Sequence, residues 1–194
     1  MSRTRIQHIS RRLVLGACAA LVVGAIATPA SAQDVITKES AAAIKTAFLA
    51  DLDTVKTKFI GLAEAFPQDK YSWRPMDGVR SVSEVLMLAA QEGYAFVPGS
   101  FGGQRFNMPQ ADMQKLSKVT DKAAVIDHLN KAFAYAKTQV EGLDPATLTG
   151  KRRIMGREMG FADGVIAIGG DLHEHLGQLI AYARTNRVVP PWSK

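Results

Sequence analysis

Residues 37–67 read TKESAAAIKTAFLADLDTVKTKFIGLAEAFP, and the spacing of their apolar residues decides the fold class. Ile44, Phe48, Leu52, Val55, Phe59, Leu62 and Phe66 follow one another in steps of three and four. On a helix of 3.6 residues per turn these steps make one continuous stripe, so the stretch predicts an amphipathic helix over residues 37–66. Pro67 has no backbone N–H to donate and ends it.

Three further segments carry the same signature. After a loop over residues 68–80, broken by Pro75 and Gly78, Ser81 and Glu84 stand at the spacing of a capping box. They open a second helix that carries Val82, Val85, Leu86, Ala89 and Phe96 and ends near Val97-Pro98-Gly99. A connection over residues 100–116 leads to a third helix, residues 120–141, striped by Val125, Leu129, Ala132, Ala136 and Val140. Gly142, Pro145 and Gly150 mark the next loop, where Lys151-Arg152-Arg153 reads as a solvated basic turn. The fourth helix is expected over residues 161–185. Gly164, Gly169 and Gly170 lie inside it, each costing up to about 1 kcal/mol of propensity. They imply close helix approach, or else a kink or break. Four amphipathic segments without a strand pattern predict an all-α four-helix bundle.

The first 32 residues read differently. Arg3, Arg5, Arg11 and Arg12 give a basic start, residues 13–27 are apolar, and Ala30-Ser31-Ala32 has the small-x-small form of a cleavage site. This is the layout of a cleavable signal peptide, with the apolar run short for a spanning helix. Ser10-Arg11-Arg12-Leu13-Val14-Leu15 resembles a twin-arginine signal, and the general secretory route stays open beside it. The expected division is therefore a leader over residues 1–32 and one domain over residues 33–194. The protein is expected to be exported, periplasmic in a Gram-negative source, with no membrane anchor after cleavage.

Cleavage changes the chemistry available. The chain has 24 Lys and Arg against 18 Asp and Glu, a net charge of +6. Residues 1–32 hold four of the arginines and no acid, leaving 20 against 18, or +2. A nucleic-acid partner inferred from net charge loses its basis. The single cysteine, Cys18, leaves with the leader, so disulfides and thiolate metal sites are excluded from the remainder.

Two blocks of residues resemble the DinB family. The first is Tyr71-Ser72-Trp73-Arg74-Pro75, Arg80-Ser81-Val82-Ser83-Glu84-Val85-Leu86, Tyr94 and Phe96. The second is His175-Leu176-Gly177-Gln178-Leu179-Ile180-Ala181-Tyr182-Ala183-Arg184 with Pro190-Pro191. The resemblance implies a DinB-like four-helix bundle, often a homodimer through its helix faces. It also implies a divalent metal held by three histidines, one from the second helix and an H-x-x-x-H pair from the last. Its relatives include thiol-dependent transferases and hydrolases. Carried over residue by residue, the last histidine falls on His175. Its partner falls on Asp171, and the second-helix ligand falls on Leu88, which cannot bind metal.

Asp171 and His175 are spaced i, i+4 and share a helix face. A transition-metal site needs at least three protein ligands, and the third must come from elsewhere. Gln91 and Glu92 follow Leu88 by three and four residues and lie on roughly its face. His173 is turned about 200° from His175 and is excluded from the same site. His128 reads as a half-exposed surface residue, Arg74 and Arg184 as surface pairing residues, and Tyr71, Trp73 and Tyr94 as packing. Leu88 favours a degenerate site with no metal, with Leu88 extending the core, Asp171 and His175 as a local pair, and a non-catalytic or ligand-binding role. The alternative is a hydrolase or transferase dependent on Ni, Zn or Mn, using Asp171, His175 and a third donor. Substrate and small-molecule ligand are not legible.

Overall fold

The computed structural model describes residues 36–193. The leader expected over residues 1–32 lies outside the described residues. The described chain is mostly helical. Helices α1, α2 and α5 begin where a side chain satisfies an orphan backbone donor, whereas α6 starts after Gly160 with no side-chain cap.

Helix α1 spans Lys38–Ala65, and the Thr37 hydroxyl accepts from the Ser40 N–H at 3.1 Å. Its stripe faces inward as the spacing requires: Phe48, Leu52, Val55, Phe59 and Leu62 are buried. Helix α2 spans Val82–Gln91 behind a complete capping box, with Glu84 Oε2 accepting the Ser81 N–H at 2.6 Å. The run does not stop at Gln91. It widens into a π-helical segment, Glu92–Phe96, and continues as a short helix α3, Val97–Ser100. After a short helix α4, Gln110–Lys115, helix α5 spans Lys122–Glu141 behind an Asp121 cap. Helix α6 spans Phe161–Thr185.

Helices α1 and α2 each pack against both α5 and α6, and the buried apolar residues of all four form one core. Lysines lock the α1–α5 pair at both ends. Lys122 Nζ donates to the Glu64 and Phe66 carbonyls at the end of α1, and Lys45 Nζ donates to Glu141 and Leu143 at the end of α5. Each cation thus meets the orphan carbonyls and the negative pole of the neighbouring helix. The Tyr71 hydroxyl donates to the Ala63 carbonyl at 2.7 Å, pinning the loop before α2 against α1. Among the described residues, no helix is long and apolar enough to cross a membrane.

One expectation is corrected here. Lys151-Arg152-Arg153 is not simply a solvated turn. Arg152–Ile154 (β1) pairs antiparallel with Arg157–Met159 (β2). Met155 and Gly156 between them both have positive φ, the requirement of a two-residue hairpin turn. Arg152 reaches back to donate to the carbonyls of Phe101 and Thr147. The glycines of α6 do not break it. Gly164 marks a close approach, because a Cβ there would meet the side chains of Ile154 and Phe101.

Candidate metal centre

The π segment positions the first donor. Its wide turn is closed by the Val97 N–H bonding to the Glu92 carbonyl, five residues back, a departure from regular helix that often marks functional sites. Gly93 allows the segment to lie directly on α5. A Cβ at this residue would come within 3.0 Å of the Ala132 backbone. With that side against α5, Glu92 is left only 7% exposed, beside the buried residues Ala89, Ala90, Gly93 and Tyr94.

The other two donors come from α6. Asp171 and His175 lie one turn apart, both partly buried. His175 Nε2 is 3.2 Å from Glu92 Oε1 and 3.8 Å from Asp171 Oδ1. One ligand atom from each of Glu92, Asp171 and His175 can be chosen so that all lie within 4.8 Å of one another. The second oxygen of Glu92, Oε2, is buried and has no hydrogen-bond partner.

The electrostatics follow from this crowding. Burial raises the Glu92 carboxyl above its usual range, opposed by the nearby His175 and reinforced by Asp171. The contact with Glu92 raises His175 in turn, against desolvation and the positive charge of Arg80. A buried carboxylate with an unpartnered oxygen is costly unless something cationic completes it. This Glu-Asp-His group can hold a metal ion. One imidazole and two carboxylates are an ordinary ligand set for a divalent cation.

The residues singled out in the sequence divide cleanly. Asp171 and His175 come together, and Glu92 is the third donor beside them. Gln91 is turned elsewhere, with Nε2 donating to the Met113 carbonyl at 2.6 Å. Leu88 does not fill a cavity in the core. It is half-buried and lines an open groove on the outer side of α2. His173 is separate, 3.0 Å from Asp51 of α1. His128 is half-buried, with Nδ1 3.3 Å from the Tyr94 hydroxyl. Arg74 pairs with Glu84 at 3.1 Å, and Trp73 packs edge-on against Tyr182.

The signal for Glu92 was present in the sequence. It is an acid among Ala89, Ala90, Gly93 and Tyr94, one turn beyond Leu88. The π turn that sets its direction has no comparable mark. Compared with protein-family models, curated proteins and solved structures, the chain matches none.

Proposed function

We propose that the chain is a DinB-type four-helix bundle that binds one divalent metal ion through Glu92, Asp171 and His175 and works as a metal-dependent hydrolase or transferase. The observation that carries this reading is Glu92. Its carboxylate is almost wholly buried, has one oxygen without a partner, and touches the imidazole of His175. The family reading is supported by where the donors arise: one from the second helical run, and an i, i+4 pair from the last. The departure is that carboxylates stand in for two histidines, and the second-run donor is one turn beyond Leu88.

Two carboxylates balance the charge of a divalent ion when His175 is neutral. Oxygen-rich donors with one imidazole suit Zn or Mn better than a soft-ligand metal. When bound, the ion supplies Lewis acidity toward a carbonyl or phosphoryl oxygen. Glu92 is fixed by the π turn and by Gly93 on α5, and Asp171 and His175 by the regular backbone of α6. The site is therefore held on rigid elements rather than on a loop. Export through the leader at residues 1–32 belongs to the same proposal. It removes Cys18, so the ligand set contains no thiolate.

A second reading keeps the three residues as a metal-free ion-pair cluster in a non-catalytic protein. The 3.2 Å contact between His175 and Glu92 favours it. Calorimetric titration of the purified protein with Zn, Mn and Ni salts separates the two. The metal reading expects one equivalent bound, with loss of at least hundredfold in affinity in both Glu92→Gln and His175→Ala. Absence of stoichiometric metal in the wild type, or unchanged affinity in both variants, overturns it.

A further inference from the structure

The outer side of α2 carries a groove that runs up to Glu92. One part, about 550 Å³, lies between α2 and the loop before it, and its walls include Arg74, Arg80, Leu88 and Gln114. The other part, about 430 Å³, is walled by Leu88, Glu92, Phe96, Met113 and Gln114. The two share Leu88, Gln91 and Gln114, so they form one continuous surface. Gln91 holds the opposite wall in place through its bond to the Met113 carbonyl. The combined size is that of a small-molecule site.

The two ends differ in chemistry. At the first, Glu84 is the lone carboxylate in the wall, and it is already engaged by the Ser81 N–H and by Arg74. The Arg80 guanidinium makes no hydrogen bond or ion pair with any described residue, and its charge is felt at His175. That end carries a free cation fit for an oxyanion. The second end is mainly apolar, made by Leu88, Ala95, Phe96 and Met113, with Arg105 as the cation in its wall. Leu88, which looked like the loss of a ligand, then serves as the apolar floor where the two parts meet.

We propose that the substrate of this centre is a small amphiphilic anion, with its oxyanion head at Arg80 and its apolar chain along Leu88, Phe96 and Met113, passing in front of Glu92. This inference rests on the metal reading for its chemistry but not for its binding contacts. The test uses octanoate and octyl phosphate as probes, with octyltrimethylammonium as the charge-reversed control. Each is titrated into the protein with and without bound Zn, following backbone amide shifts by NMR. One or both anions should bind with shifts centred on α2 and residues 110–118, and the better of the two reports whether the head is carboxylate or phosphate. Arg80→Gln should weaken anion binding about tenfold and Leu88→Gln should weaken it as well. Leu88→Gln should leave Zn affinity unchanged, and Arg80→Gln should not weaken it, since it removes a positive charge that acts on His175. Binding of the cation as tight as that of the anions, anion affinity unchanged in Arg80→Gln, or shifts elsewhere in the protein each overturn the proposal. Arg80-dependent anion binding in a protein that takes up no metal supports the groove and refutes the metal reading. Stoichiometric metal with Arg80-independent anion binding does the reverse.

Discussion

Replacing Glu92 with Gln keeps the shape of the side chain and removes its charge, and the consequences differ with and without metal. In the metal-free protein three terms compete. The carboxylate pays for burial, since it is only 7% exposed and one oxygen has no partner. It is repelled by Asp171, whose ligand oxygen lies within 4.8 Å. Two unit charges at that separation repel by about 3 kcal/mol at an effective dielectric constant of about 20. Asp171 is 26% exposed at its side chain, so solvent screening lowers that figure. Against these stands attraction to protonated His175 at 3.2 Å. Asp171 remains beside His175 in the variant, so the imidazolium is not left alone. Metal-free Glu92→Gln is therefore expected within about 1 kcal/mol of wild-type stability, or above it. With metal the sign reverses. A ligand and a compensating charge are lost, and affinity should fall at least about hundredfold, beyond the tenfold to hundredfold typical of outer partners. Urea unfolding with EDTA, and again with saturating Zn, measures both quantities. A variant that loses about 3 kcal/mol or more without metal, yet binds Zn normally, would make Glu92 a structural ion-pair partner and not a metal ligand.

Other outcomes follow from the same structure. Ser81→Ala should cost about 1 kcal/mol in thermal or urea unfolding through loss of the α2 cap. The Ser81 N–H holds the Glu84 carboxyl below its usual value near 4.5, with Arg74 contributing. Its stabilisation is thus complete above about pH 4.5 and is lost as pH falls through the lowered value. Glu84→Gln should flatten this part of the stability profile measured between pH 2 and 6. Gly93→Ala should destabilise by about 1–3 kcal/mol and weaken metal binding, because its Cβ meets the Ala132 backbone. Gly164→Ala should cost less in the same assay. The nearest atom is the terminal methyl of Ile154, which can rotate away while the helix gains propensity. His173→Ala should leave metal affinity unchanged in calorimetry, since His173 faces Asp51 and not the centre.

The helices were legible where one local rule governed them. Thr37 and Pro67 bracket α1, Ser81 and Glu84 open α2, and the span expected for the last helix coincides with α6. The hairpin at residues 152–159 was not legible. Strands of three residues are too short to show alternation, and Met155 is an unusual residue for a position with positive φ. The π segment has no periodicity mark in the sequence; in the structure it lies where Gly93 packs closely on Ala132 of α5. This also explains the site. Aligning the second-helix ligand to Leu88 left Asp171 and His175 without a third acid or histidine. Glu92, which completes a group able to hold a metal, lies one turn further on, where the helix widens and its carboxylate meets His175 of α6. Leu88 instead faces the groove.

The proposed centre holds one metal ion on Glu92, Asp171 and His175. The most direct test is an anomalous difference map from crystals grown with Zn or Mn and collected at the metal's absorption edge. A single strong peak is expected within bonding distance of His175 Nε2 and of carboxylate oxygens of both Glu92 and Asp171. No peak there, or a peak only at the surface pair His173 and Asp51, would contradict it.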